Sequence, residues 1–191
     1  SVVSIGRKQY SKSITKLGYE VKDEKLRVYT DVQVTKERRQ VEGNKMSKIR
    51  LLVPDNLQIE IVDASGSVLA EGINASTIRL EANFGSITAS NIKAEISMNA
   101  SSGSIKAQNI EGSTRVKTEF GSIKLDHIIG NCNVNSSSGS VFVNDVEGAL
   151  EVRSNFGSQK ISNVKGTVKS ISSSGSVKMV KVTGDVNCTS S

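Results

Sequence analysis

A Gly-Ser dipeptide returns at a short, fixed interval through the last two thirds of the chain, and it constrains the fold more than any other feature. The glycines recur with period 18, apart from a first step of 19. Such a period is typical of a solenoid, in which each repeat buries its apolar face only by stacking on its neighbours. The glycines of the dipeptide are Gly66, Gly85, Gly103, Gly121, Gly139, Gly157 and Gly175.

Apolar residues occupy the same places after each of these glycines. In the repeat that starts at Gly121, residues Ile123 and Leu125 alternate as in a strand, but Ile128 is out of phase by one residue. Because a strand alternates its two faces with period two, a corner must lie between them. The corner column holds Asn91, Asn109, His127, Asp145 and Asn163. Each repeat is therefore predicted as strand, Asn corner, Gly turn, strand and Gly-Ser turn.

A second period is superposed on the first in the residue before each Gly. Phe84, Phe120 and Phe156 alternate there with serines. An 18-residue coil would interleave large and small side chains in the core, whereas a 36-residue coil would stack the phenylalanines directly. We favour the shorter coil, because Ala, Ser and Thr fill so many inward positions that the cross-section should be narrow.

Residues 1–64 lack the repeat. Strands are predicted at Lys25–Val34, 48–53 and 57–62, with a charged loop at 36–45. A solenoid needs its first coil covered, since an open edge invites pairing with another chain. We therefore predict that residues 1–64 form an N-terminal β cap on one continuous β-helix domain, residues 65–191.

Composition agrees with an all-β chain: it contains one Pro, no Trp and four Phe, and the net charge is +6. No apolar run approaches the roughly 20 residues of a membrane-spanning helix, and no secretory signal is visible. Cys132 and Cys188 fall in different inward columns about three repeats apart, so we expect buried free thiols rather than a disulfide.

The stretch KIRLLVPDNLQIEIVDASGSV, followed by repeated S-S-G-S-I/V units, resembles a family of adhesin domains, which are single-stranded β-helix proteins of bacterial cell envelopes. The resemblance covers about residues 25–191. It implies an extracytoplasmic, non-enzymatic binding or structural module without a cofactor. Ser67 and Ser86 stand where such proteins often carry Asp, so we expect no calcium site, because hydroxyls are poorer calcium ligands than carboxylates.

One outward column is the candidate binding site. The residues three places after the Gly include four lysines around one aromatic side chain, and in an 18-residue coil they would form a single vertical row. The functional interpretation is a strip for an anionic glycan or envelope polymer, with another protein as an alternative partner. A solvated, solubilising face is the commoner role of such charges and is the favoured alternative. Nucleic acid is not expected, because aromatic and basic residues are not interleaved elsewhere. The strip consists of Lys106, Lys124, Phe142, Lys160 and Lys178.

Two further functional classes stay open. The only histidine, His127, could form an acid–base group with Asp126 and Asp145, although a solvated corner is the favoured interpretation and no catalytic or metal site is expected. The other class is a structural β-helix that assembles end to end, as bactofilins do.

Overall fold

The repeats after Gly66 stack as coils of a parallel β-solenoid, and the strand register fixes the length of one coil. In this computed structural model, Ile123 pairs in parallel with Ile105 on one side and with Val141 on the other. Phe84 lies opposite Ser102, which lies opposite Phe120. The phenylalanines are therefore two coils apart, which confirms the 18-residue coil and excludes the 36-residue one.

The structure describes residues 2–9, 13–22, 25–34, 45–52, 58–64 and 66–190. The strands before the first Gly-Ser are β1 Val2–Gln9, β2 Ser13–Lys22, β3 Lys25–Val34, β4 Lys45–Leu52 and β5 Gln58–Asp63. The strands of the coils are β6 Gly66–Phe84, β7 Ile87–Ser102, β8 Ile105–Glu111, β9 Thr114–Phe120, β10 Ile123–Ile129, β11 Cys132–Ser138, β12 Val141–Glu147, β13 Leu150–Phe156, β14 Gln159–Lys165, β15 Val168–Ser174, β16 Val177–Thr183 and β17 Val186–Ser190.

The coils form two sheets that face each other across one narrow core. One sheet contains β8, β10, β12, β14 and β16, and the other contains β9, β11, β13, β15 and β17. The halves of β6 and β7 extend both sheets. The predicted inward columns are buried, as Ile110, Ile123, Val134 and Val152 illustrate with no exposed surface. The sequence prediction of an all-β single-stranded β-solenoid is confirmed.

The corners predicted between the two phases have left-handed backbone. Asn91, Asn109, His127, Asp145 and Asn163 have φ values of 54° to 55°. Asn, Asp and His tolerate this region better than other side chains. In the first coil the same place is taken by Gly72, with φ 62°.

The Gly-Ser glycines are required by close approach of neighbouring coils. Gly121 has φ 145°, a region that side chains rarely adopt, and a Cβ there would overlap the carbonyl oxygen of Gly103. Each coil thus rests backbone to backbone on the next at this edge. A side chain would have to push the two coils apart.

The expected interleaving of phenylalanine and serine in the core is wrong. Phe84, Phe120 and Phe156 are 61% to 67% exposed. By alternation Phe120 shares the parity of the buried Thr114 and Val116, but β9 ends at Phe120 and the chain bends into the following Gly. The turn therefore overrides the strand period and directs the ring outward.

The prediction of two buried thiols is half correct. Cys132 is buried, and burial raises the pKa of its thiol to about 12. Cys188 is exposed. It lies on β17, which pairs with β15 alone among the described strands, so no described coil covers its side chain.

Gln159 is a large polar side chain at an inward position, and its hydrogen-bond partners are enclosed with it. Gln159 is 1% exposed, and its amide nitrogen donates to the carbonyl oxygen of Ile171 at 2.8 Å. The hydroxyl of Ser170, on the facing sheet, donates to the Gln159 amide oxygen at 2.7 Å. Because each polar atom has a partner, the core accommodates this side chain without a buried unsatisfied group.

Strands from the N-terminal segment lie against both sheets of the first coil. β1 is antiparallel to the first half of β6, with Ile5 opposite Val68, and β5 is parallel to its second half, with Ile59 opposite Ile78. The predicted strand at Lys25–Val34 is observed as β3, and β4 and β5 overlap the other two predictions. Most of the charged segment 36–45 lies outside the described residues. A domain boundary at residue 64 stays a prediction.

The extra residue of the first repeat is a local irregularity in β6. Asn74 pairs with Lys93 and Thr77 with Glu95, so β6 has one more residue than β7 between these two pairs. A β-bulge absorbs such an insertion without changing the register on either side of it.

No helix in the described part of the chain has the length and apolar character needed to cross a bilayer.

Candidate functional site: the lysine ladder

The five residues of the predicted strip form one continuous row on the outer side of a sheet. Lys106 lies opposite Lys124, Lys124 opposite Phe142, Phe142 opposite Lys160, and Lys160 opposite Lys178. All five side chains are exposed. Adjacent members are one strand spacing apart, roughly 4.8 Å. We call this row the lysine ladder, and the outer side of β8, β10, β12, β14 and β16 the lysine face.

The lysines of the ladder have no acidic partner among the residues that the structure describes. The ion pairs of the described chain involve other cations, such as Lys93 with Glu111 at 3.0 Å and Lys165 with Glu147 at 2.6 Å. Unpaired ammonium groups on adjacent coils repel each other. The ladder therefore concentrates positive potential along one line. A bound anion would reduce the repulsion between the ammonium groups.

The column beside the ladder is largely neutral and hydrogen-bonded to itself. Its one carboxylate between Gln108 and Val180 is Asp126, which accepts a hydrogen bond from the Asn144 amide at 2.7 Å. The Ser162 hydroxyl donates to the Asn144 amide oxygen at 2.9 Å. A surface depression lies over the two columns and is lined by Lys124, Asp126, Phe142, Asn144, Lys160 and Ser162. The structure thus places an apolar ring, two cations, one carboxylate, one amide and one hydroxyl around one concavity.

The opposite face, which is the outer side of β9, β11, β13, β15, β17 and the second half of β6, arranges its charges differently. Arg153 and Lys169 both contact Glu151, at 2.5 Å and 3.2 Å, and Arg79 contacts Glu81 at 2.6 Å. The hydrogen bond with Lys169, reinforced by the charge of Arg153, lowers the pKa of Glu151. Cations on this face are therefore partly neutralised by neighbours, which weakens their attraction for an external anion.

Two cations on the opposite face are not ion-paired with described residues, but they do not form a row. Arg115 and Lys117 lie on one coil, and the coil above places Asn133 and Asn135 opposite them. The coil below places Ser97 and Asn99 there. Their charge is local to one coil, in contrast with the ladder.

The candidate acid–base group at the corner is brought together only in part. His127 Nδ1 lies 2.7 Å from Asp145 Oδ2, and this hydrogen bond raises the pKa of His127. Asp126 instead contacts Asn144 on the lysine face. His127 and Asp145 are 49% and 39% exposed, so the pair is an open surface contact in a column that elsewhere joins Asn109 to Asn91 at 2.9 Å.

Sequence reasoning missed a groove on the opposite face, beside the second glycine turn of the coils. It extends from Glu95 to Asn187 and is lined along its length by polar residues such as Asn131, Asn133 and Lys169. The available signal was the polar residue that follows most of these second glycines with period 18, as in Ser113 and Asn131. Within the described residues, no cluster of His, Cys, Asp and Glu is arranged to hold a metal ion.

Comparison with protein families agrees with this architecture. Residues 6–191 match the family model described as Toastrack DUF4097. Comparison with curated proteins and with solved structures gives no match. Because the family model spans nearly the whole length of the repeat solenoid and its N-terminal strands, the chain belongs to the Toastrack DUF4097 family.

Proposed function

We propose that this domain is a non-enzymatic binding module whose lysine ladder holds an anionic polymer, such as an acidic glycan of the cell envelope. The observation that carries the proposal is the row itself: Lys106, Lys124, Lys160 and Lys178 stand in register without a described acidic partner. A linear polyanion parallel to the solenoid axis meets these ammonium groups in succession.

Each ammonium contact is exposed and weak by itself, worth less than about 1 kcal/mol. A polymer that engages several lysines at once gains by effective concentration, because each later contact is intramolecular. Phe142, which is 43% exposed between Lys124 and Lys160, offers an apolar surface for the face of a sugar ring. This combination favours an acidic glycan over a polyanion without apolar faces.

A non-enzymatic role is supported by the exposed setting of the one histidine, whose ion pair with Asp145 is open to water. The adhesin role and the extracytoplasmic location belong to the same proposal. Their support is the resemblance to envelope adhesin domains and the rigid, extended surface that a solenoid offers. Localisation of the tagged full-length protein by cell fractionation tests the location.

Binding of polygalacturonate by the purified wild type tests the ligand class. We expect retention at low ionic strength that weakens steeply as NaCl increases, because salt screens exposed charges over about 10 Å at 0.1 M. Neutral dextran of similar length is the control and should not be retained in a salt-sensitive way. Absence of salt-sensitive retention on polygalacturonate and on heparin would contradict the proposal.

End-to-end self-assembly is the second candidate. The parallel pairing that joins successive coils, such as β13 with β15, is able to join coils of two copies in the same way. Sedimentation over a range of protein concentrations tests this candidate. Elongated assemblies that grow with concentration support it, and a single species throughout contradicts it.

A further inference from the structure

Three phenylalanines form a regular row along the Gly-Ser edge of the solenoid. Phe84, Phe120 and Phe156 are 67%, 63% and 61% exposed, the highest values among the large apolar side chains of the described residues. None of them belongs to the core cluster. We call this row the phenylalanine ridge. It lies on an edge between the two sheets and is distinct from the lysine ladder.

The spacing of the ridge is fixed by the register of the coils. Ser102 separates Phe84 from Phe120, and Ser138 separates Phe120 from Phe156. Successive rings are therefore attached two strand spacings apart, roughly 9.5 Å, and the ridge extends over roughly 19 Å. The alternation leaves a gap one coil wide, lined by serine, between successive rings.

The surroundings of the ridge are polar but almost uncharged. Among the residues directly before and two places after Phe84, Phe120 and Phe156, Glu119 is the single charged one. One of the hydroxyls beside the rings hydrogen-bonds along the solenoid, since Ser176 donates to Ser158 at 3.2 Å. Exposed residues that flank the row are Asn83, Ser86, Ser104, Ser122, Asn155 and Ser158. Hydroxyls and amides are suited to hydrogen-bond sugar hydroxyls, whereas the near absence of charge offers nothing to an ionic ligand.

Three exposed rings with little contact to the core contribute little to folding, and exposed apolar groups in a regular array are typical of interaction surfaces. A sugar ring packs its C–H face on an aromatic ring and keeps its hydroxyls at the rim. In an extended β-1,4-linked chain, alternate sugars present the same face, so the repeat is one disaccharide. That repeat is close in length to two coils of this solenoid.

We propose that the phenylalanine ridge binds a neutral, extended β-1,4-linked polysaccharide by stacking every second sugar on a phenylalanine. The intervening sugars lie over the serine gaps, where Ser102 and Ser138 face them. The ligand chain runs parallel to the solenoid axis. This ligand differs from that of the lysine ladder in charge and in the edge that it occupies, so neither proposal depends on the other.

Calorimetric titration with cellohexaose and with chitohexaose tests the proposal, because a hexasaccharide is long enough to reach all three rings. We expect the wild type to bind at least one of the two with an affinity that is unchanged between low and high NaCl. Phe120→Ala removes the central ring and should weaken binding by about tenfold, the effect of losing one aromatic contact. Phe84→Ala with Phe156→Ala should weaken it further still.

Ile129→Ala is the control, because Ile129 is also an exposed apolar side chain but lies in neither the phenylalanine ridge nor the lysine ladder. It should leave hexasaccharide binding unchanged. Absence of binding to both sugars, or equal losses in Phe120→Ala and Ile129→Ala, would overturn the proposal. If the wild type binds neither sugar but sediments as a dimer that Phe120→Ala dissociates, the ridge contacts a second copy instead. Salt-insensitive binding also separates this result from that of the lysine ladder.

Discussion

The lysine ladder and the opposite face of the solenoid share the same backbone architecture and the same register, yet they arrange their charges in opposite ways. On the lysine face, cations from four coils stand in one row, and a largely neutral column with the single carboxylate Asp126 runs beside them. On the opposite face, Arg153 shares a coil with the Glu151 that it contacts, and Lys169 reaches the same carboxylate from the next coil.

The difference shows how a solenoid decides whether a charge is available. Residues two apart on one strand point the same way, so opposite charges placed there neutralise each other within the coil. Like charges placed at equivalent positions of successive coils cannot do so, and they add along the axis. In the first arrangement the charges are neutralised by each other. In the second they stay available to an external counterion.

The largest expected effect on stability comes from a substitution that forces two coils apart and so disrupts both faces. Gly121→Ala places a Cβ 2.3 Å from the Gly103 carbonyl oxygen, at φ 145°. We expect a loss of at least about 4 kcal/mol in the free energy of unfolding, because backbone rather than a flexible side chain must move. Gly72→Ala is the control, since its φ is also positive but no atom lies within 4 Å. Equal losses in urea denaturation would contradict the role of close coil contact.

The next effect tests the core that holds the faces apart. Ile123→Ala should destabilise the domain by about 3 kcal/mol, because Ile123 has no exposed surface and its removal leaves a cavity. Ile129→Ala, on the same strand but with the isoleucine 40% exposed, is the control and should cost much less. Thermal melts of both variants provide the measurement. An unchanged melting temperature for Ile123→Ala would mean that its column does not line the core.

A smaller change would make the opposite face more like the lysine face. Glu151→Gln removes the carboxylate shared by Arg153 and Lys169 and should cost about 1 kcal/mol or less, since both cations are exposed and the carboxylate is partly so. It should strengthen retention on polygalacturonate, because two cations lose their partner. Glu119→Gln changes the net charge equally without breaking an ion pair between described residues. If retention on polygalacturonate increases equally in both variants, the ion pairs of Glu151 do not affect polymer binding.

The smallest effect concerns the corner between the faces. Because the hydrogen bond to Asp145 raises the pKa of His127, the ring should titrate above its ordinary value of 6.5. A raised pKa in the folded state means that the pair stabilises the fold below about pH 6.5 and that this contribution is lost as the pH rises through the raised value. An NMR titration of this single histidine measures it. In Asp145→Asn the pKa should return toward 6.5, and an unchanged value would contradict the contact.

Much of the fold could be predicted because every coil of a solenoid has the same structure and therefore the same residue pattern. The interval between Gly-Ser dipeptides gave the coil length, the parity of Ile123 and Leu125 gave the inward face, and the slip at Ile128 located the corner. The exposure of Phe120 could not be found this way, because alternation holds within a strand and fails where the backbone enters a turn. The bulge near Asn74 was visible in the sequence only as one extra residue in the first interval between Gly-Ser dipeptides.

The candidate site was predictable in position but not in electrostatics. Register alone puts Lys106, Lys124 and Lys160 in one row with Phe142 between two of them. Whether a nearby carboxylate neutralises a lysine depends on rotamers and on competing partners. Asp126 illustrates this, because it is adjacent to the ladder in sequence but accepts its hydrogen bond from Asn144.

The most direct test of the account compares two double charge reversals with the same change in net charge. Lys124→Glu with Lys160→Glu alters the lysine ladder, and Arg115→Glu with Lys117→Glu alters the opposite face. Both pairs are exposed, so both variants should melt like the wild type. We predict that the first variant loses retention on polygalacturonate at low salt, whereas the second keeps most of it. Equal loss in the two variants, or full retention of the first, would contradict the claim that the aligned row of lysines binds the polymer.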